Sequence, residues 1–371
     1  MKQAPHGQCG GGRRHFKRSS TRVAIVALRD CTNFIGRTLI IPTPPSVRTA
    51  RDVVFVPPGN DPSWGLFEPS GRAVPESIPY AGRPGSLHHA QGSLDCAHLP
   101  GYARQDPSLD YVYMGNVVMH YGHFLIGPLA RLWAIPTFRR RQLRIVFSSN
   151  TSLNELMTQD FILTLVSALG LTAENFLQCT EPTRFDHIEV AACPFEELSL
   201  VHNVFADMMN GIGRQVSICH DRVVPRRMVY MSKECLPNGN VTIDNETEIT
   251  AILRRNGVDV LFPEALPLEE QIKLWATDPI VMGFSGSAMH TSVFFPRRTT
   301  LVVAHGPDMW VNQVLIDRVN RNQSRYVYDE AGCEPIGPGR GFNMNYRIRD
   351  PRAFATSLLN IASGLARSDD P

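Results

Sequence analysis

The chain lacks most of the short signatures that would assign it a reaction. No G-x-S-x-G elbow occurs, so an α/β-hydrolase triad has no nucleophile. Neither G-x-x-x-x-G-K-[ST] nor a strand-to-helix G-x-G-x-x-G is present, which removes a P-loop kinase and a simple dinucleotide oxidoreductase. There is no D-x-D pair, the usual carboxylate arrangement for holding a metal on a sugar-nucleotide diphosphate. A diphosphate bound here has to be neutralised by backbone dipoles and cationic side chains. Eight cysteines are scattered without a C-x-x-C pair, arguing against a zinc site and a disulfide framework. No apolar run reaches the roughly 18–20 residues needed to span a bilayer. The basic start has no apolar stretch behind it and does not read as a secretory signal. A net charge of +2 gives no support for nucleic-acid binding. A reducing cytosol is the simplest home. A peripheral place on the inner membrane face is compatible with the basic cluster Arg13 to Arg22, although a solvated, disordered tail over 1–21 is the plainer reading.

What is present is a soluble-type composition, 43% hydrophobic and 19% charged over 371 residues, enough for two ordinary domains. Strand-like runs RVAIVAL, RTLIIP and DVVFVP open the chain, heavily punctuated by Pro and Gly through Arg83-Pro84-Gly85. YVYMGNVV reads as a strand, and HFLIGPLARLWAI takes helical periodicity, with Pro128 in its first turn or kinking it. Strand 144–147, a long helix over 153–169, strand HIEVAA and helix VFADMMNGIGRQV complete the first half. After Pro225 strands and helices alternate regularly: RMVYMS, NETEITAILRRNG, VDVLFP, LPLEEQIKLWA, PIVMGF, GSAMHTSVFF, TTLVVAH and DMWVNQVLIDRV. That alternation predicts a parallel sheet covered by helices, with ligands beyond the strands' C-terminal ends. The expected fold is α/β, two domains (22–222 and 223–350) facing a cleft, with a last helix within 351–371 that could lie back across the first domain.

The turn Gly283-Phe284-Ser285-Gly286-Ser287-Ala288 is the best place for an anion to meet backbone. Such glycine-serine turns are also common without a ligand. His123, where a strand ends and a helix begins, has a side chain suited to accepting a proton; capping that helix is its plainer role, and His120 could be the exposed one instead. His88-His89 have no carboxylate or cysteine at ligand spacing. Lys233 follows the first strand of the second half, where a cation can meet phosphate, and Asn245 and Glu246 open the next helix. Glu264 and Gln271 could hold ribose hydroxyls, with a solvated helix face as the alternative. Glu330, after RYVYD, is a further cleft candidate.

In order, GHFLIG…LARLW, VYMSK…DNETEI, LFPEALPLEEQI and IVMGFSGSAMHTSVFF resemble glycosyltransferase family 61 over roughly residues 110–305. That family includes bacterial capsular and exopolysaccharide transferases, plant xylosyl- and arabinosyltransferases, and animal protein O-N-acetylglucosaminyltransferases. The resemblance implies two Rossmann-like domains of the glycosyltransferase-B type, an inverting mechanism and a metal-independent nucleotide-sugar donor, UDP- or GDP-linked. It also implies a glycan or lipid-linked saccharide as acceptor. By position, His123 matches the family's G-H-F histidine, Asn245 and Glu246 its N-E pair, Gln271 its glutamine and Gly286 its H-G glycine. Five positions depart from the family's pattern. Lys233 replaces an arginine and loses a bidentate fork. Ser285 stands where the H-G histidine falls, and Ser287 and Thr291 replace a small or apolar residue and an asparagine. Gly127 stands where an acidic residue often follows H-F-L-L. A catalytically silent relative that binds sugar nucleotide or glycan, and a nucleotide-sugar epimerase, remain the rival readings.

Overall fold

The computed structural model describes residues 28–59, 63–80, 103–137, 142–218, 227–236, 241–340 and 343–368. The tail 1–21, residues 22–27 of the run RVAIVAL, Arg83-Pro84-Gly85, His88-His89 and Arg139-Arg140-Arg141 lie outside them.

The fold is α/β, organised around two larger sheets. The chain enters through β1 (Leu28–Asp30) and then builds the first sheet. Its main strands are β2 (Val47–Val56), β3 (Gly65–Phe67), β4 (Asp110–Asn116), β5 (Leu143–Ser148), β6 (Phe176–Gln178) and β7 (Thr183–Ala191), in the order β3-β2-β7-β4-β5-β6. From β7 to β6 the pairs are parallel, and β2 and β3 add antiparallel strands at one edge. The second sheet contains β8 (Met228–Met231), β9 (Asp259–Leu261), β10 (Ile280–Phe284), β11 (Thr299–Ala304) and β12 (Gln323–Asp329), all parallel, in the order β9-β8-β10-β11-β12. β1 closes its edge antiparallel to β12, so the first described strand belongs to the second sheet. In each sheet the chain winds to one side and then returns to the other. The reversals fall between β4 and β7 and between β8 and β10. Ligands favour the crevice beyond the strand ends at such reversals.

Helices α1 (Tyr121–Ile126), α2 (Leu153–Leu156), α3 (Asp160–Ala168) and α4 (Asn203–Ser217) belong to the first half. Helices α5 (Glu246–Arg255), α6 (Leu268–Ala276), α7 (Asn312–Val319) and α8 (Pro351–Ser368) belong to the second. One apolar core joins the facing layers, with Val112 and Phe147 from the first sheet, Phe205 and Met209 from α4, and Met231, Val281 and Phe294 from the second half. Phe205, Met209 and Phe294 are fully buried, each worth about 1.5–3 kcal/mol. The halves therefore share their largest core.

Local differences from the sequence reading have local causes. The helix expected over 153–169 is divided. Ser152 and Glu155 form a capping box for α2, and Asp160 begins α3 with its carboxylate accepting the Leu268 N–H at 2.5 Å. The Leu129–Thr137 and Ser287–Phe294 segments are 3₁₀ rather than α. Asp308–Trp310 is a short strand beside Asn33–Ile35, and α7 begins only at Asn312. α8 is buried through Phe354, Ala355, Leu358 and Ala362 in a cluster with Ile249, Leu253 and Phe284 of the second half. Its apolar face is thus satisfied by α5 and the second sheet, not by crossing to the first.

Candidate functional site

The reversal in the first sheet opens into a cavity of about 340 Å³. Tyr113 and Asn116 of β4 line it, with Trp64, Tyr80 and Phe195, and His120, His123 and Glu197 are part of its wall. Arg131 is 4% exposed and holds the wall together: its guanidinium donates to the carbonyl oxygens of Glu76, Ser77, Ile78 and Ala191 at 2.6–3.2 Å. Its planar fork suits that divergent set of acceptors.

His120 and His123 flank the start of α1. The His123 backbone N–H donates to His120 Nδ1 at 3.4 Å, so His120 caps the helix, the role that seemed plainer for His123. Accepting at Nδ1 leaves neutral His120 with its proton on Nε2. Burial and the neighbouring His123 lower its pKa. His123 is half-exposed, and its Nδ1 lies 3.5 Å from Glu197 Oε1. The carboxylate raises the His123 pKa against the opposing effect of burial. A proton held on Nδ1 beside a carboxylate leaves Nε2 as the basic atom. Glu197 is held in turn by Asn312 of the second half, whose Nδ2 donates to Glu197 Oε2 at 3.0 Å and whose Oδ1 accepts from Leu198 N at 2.8 Å. Position 127, where the resemblance expected an acid, ends α1; a Cβ there would lie 2.9 Å from the His123 carbonyl oxygen. The carboxylate beside the imidazole comes instead from a loop remote in sequence.

In the second half, the sheet's reversal gathers Lys233 and the turn 285–288. Lys233 Nζ donates to the Ser285 carbonyl at 3.0 Å, and burial pulls its pKa down to about 8. Ser285 N donates to Val303 O at 2.7 Å, fixing the turn to β11. Gly286 caps the 3₁₀ segment that Ser287 and Ala288 open, whose first N–H groups have no partner within the helix. The two halves touch at this point. A Cβ on Gly122 of α1 would lie 2.9 Å from Ser287 Cβ, so only glycine allows this approach. Tyr121 Oη and Thr291 Oγ1 are 3.0 Å apart beside it.

Of the remaining candidates, Asn245, Glu246 and Gln271 are hydrogen-bonded within the fold. Asn245, expected near the donor, is 5% exposed and exchanges both ends of its amide with the Ile348 backbone at 2.8 and 2.9 Å. Fully buried Glu246 accepts from Tyr230 Oη and from Lys233 N, so it positions the lysine's backbone. Burial raises the Glu246 pKa, opposed by these two bonds. Gln271 donates to the Pro263 and Leu266 carbonyls at 2.7 and 3.0 Å, tying down the turn that carries exposed Glu264. Glu330 pairs with Arg29 at the far edge of the second sheet. Glu197 escaped the sequence reading because nothing local links it to His123; its one signal was an acidic pair, Glu196-Glu197, just after a strand. Among the described residues, no group of three or more His, Cys, Asp or Glu side chains is arranged to hold a metal ion, and no helix is long and apolar enough to cross a membrane.

Residues 121–302 match the family model described as Glycosyltransferase 61. The matched span begins at α1 and ends within β11, so it contains His123, Glu197, Lys233 and the turn 285–288. The resemblance carried by the sequence motifs therefore stands over that span, and it supports a transferase with a donor and an acceptor. No curated protein matches the chain.

Proposed function

We propose that this protein is an inverting, metal-independent glycosyltransferase that moves a hexose or pentose from a UDP- or GDP-sugar to a glycan or lipid-linked saccharide. The observation that carries the reading is the apposition of a carboxylate-backed imidazole, His123–Glu197, with the Lys233-braced turn 285–288 across the Gly122–Ser287 contact. The reversals in the two sheets support reading the halves as Rossmann-like domains of the glycosyltransferase-B type.

In this reading the donor's diphosphate rests on the backbone N–H groups of Ser287 and Ala288, close to the Lys233 ammonium. The acceptor enters the first-sheet cavity, which Trp64 and Tyr80 help to line. The acceptor oxygen attacks the anomeric carbon while His123 Nε2 takes its proton. The bond from that carbon to the diphosphate oxygen breaks with inversion, and the turn and Lys233 stabilise the departing charge. A role in bacterial capsule or exopolysaccharide assembly, in the cytosol or against the inner membrane face, completes the proposal.

Titration of the purified protein with UDP- and GDP-sugars, followed by turnover assays with candidate glycan acceptors, is the test. Binding and transfer are expected; no binding to any donor would overturn the reading. Ser285, standing where the resemblance places a histidine, favours a second reading as a silent sugar-nucleotide binder. Donor binding without turnover for any acceptor would select it.

A further inference from the structure

His290 lies in the turn that carries the diphosphate seat, yet neither the sequence motifs nor the family resemblance gave it a task. Ser287 and His290 are three residues apart in a 3₁₀ segment, where side chains at i and i+3 lie one above the other. Ser287 faces Gly122 of α1, so His290 shares the face turned toward His120 and His123. All three imidazoles and Glu197 are close enough to influence one another's charge.

The buried neighbours of His290 fix its tautomer. Its Nδ1 is 2.8 Å from Gln313 Oε1. The Gln313 amide is oriented in turn by donating Nε2 to Ser292 Oγ at 3.2 Å, and Ser292 Oγ donates to buried Asp317 at 3.4 Å. The oxygen of Gln313 therefore faces the ring, and the ring proton must sit on Nδ1. Burial lowers the pKa of His290, which keeps the ring neutral near pH 7. Nε2 is then a hydrogen-bond acceptor, and among the described residues the ring's only hydrogen bond is the one from Nδ1 to Gln313.

We infer that His290 Nε2 accepts a hydrogen bond from a hydroxyl of the donor's sugar and so helps select that sugar. The inference rests on the proposed function. A 3₁₀ segment rises about 2 Å per residue, so His290 stands roughly 6 Å beyond the seat. A sugar ring joined directly to the diphosphate spans that distance.

Asparagine can reproduce the Nδ1–H donor toward Gln313 but has nothing at Nε2; glutamine places an amide oxygen near Nε2. Calorimetric titration of the unmodified protein, His290→Asn and His290→Gln would use UDP, UDP-glucose, UDP-N-acetylglucosamine, UDP-xylose, GDP and GDP-mannose. In His290→Asn, affinity for the preferred nucleotide sugar should fall about five- to tenfold, the size of one lost hydrogen bond. Affinity for the matching nucleoside diphosphate should stay within about twofold, and His290→Gln should recover part of the loss. Equal weakening of sugar nucleotide and diphosphate, or no weakening of either, would overturn the role of His290 while leaving the transferase reading intact. Failure of the unmodified protein to bind any nucleotide would overturn both.

Discussion

At the strand ends of the second half, polar side chains are bonded to the fold itself; at those of the first half, they face a cavity. Asn245 holds Ile348, Gln271 holds the 263–266 turn, and Glu246 holds Tyr230 and the Lys233 backbone. His123 and Glu197 instead form part of a cavity wall. In the proposed mechanism the difference gives rigidity to the second half, which would hold a charged diphosphate with fixed dipoles, and an available base to the first, which would take a proton. This division can be broken one residue at a time.

The largest effect is expected at His123. His123→Ala should lower kcat by about 10²–10⁴-fold, the range that a placed general base supplies. Donor affinity, measured by titration, should not change, because the second half is left intact. A parallel loss of donor binding would mean that the two halves do not divide the work.

Lys233 is next. Replacing a charged hydrogen-bonding partner of the diphosphate costs about 1.5–3 kcal/mol, so Lys233→Met should weaken nucleoside diphosphate binding on the order of 10–100-fold. The depressed pKa gives this site a pH signature. Below about 8 the amine of the free protein is charged; above it the charge is lost, so diphosphate affinity should fall as pH rises through that value. Lys233→Arg should abolish that fall, since guanidinium stays protonated. Affinity that is flat from pH 7 to 9.5 in the unmodified protein would show that Lys233 does not meet the ligand.

Asn245 tests the scaffold side of the comparison. Asn245→Ala leaves the Ile348 N–H and carbonyl without their buried partner, which should lower unfolding free energy by about 1–3 kcal/mol in urea titrations. Nucleotide affinity should be unchanged. A selective loss of affinity with normal stability would restore Asn245 to the binding surface.

These assignments mark what was legible in the sequence. The parallel second sheet was readable because β8, β9 and β11 are short apolar runs, each leading to an amphipathic helix; α5 shows this with Ile249 and Leu253 on its buried face. The location of Lys233 and of the 285–288 turn followed from that alternation. Side-chain duties did not, since they depend on partners far along the chain. Asn245 meets Ile348, and Asp160 begins its own helix while its carboxylate takes the first N–H of α6. Nor does helical periodicity distinguish a 3₁₀ segment from an α-helix over the eight residues of Ser287–Phe294. That geometry is what stacks His290 over Ser287. β1 shows the same limit at the scale of topology, because a strand from the start of the chain pairs at the edge of the second sheet.

The finest expected effect concerns the carboxylate that links the halves. Glu197→Gln keeps the shape of the side chain and removes its charge, while its single amide oxygen can accept from only one of His123 and Asn312. Glu197 raises the His123 pKa, and the base works when unprotonated, so activity should climb as pH passes upward through that pKa. Without the charge, the acid limb of the kcat/KM profile should move to lower pH, with donor KM unchanged. At pH 7 the loss in kcat should be smaller than in His123→Ala. An acid limb that stays in place would mean that Glu197 and its partner Asn312 brace the cleft without tuning the base. Asn312 sits at the start of α7, so a shifted limb would make the basicity of a first-half histidine depend on the second half being docked against it.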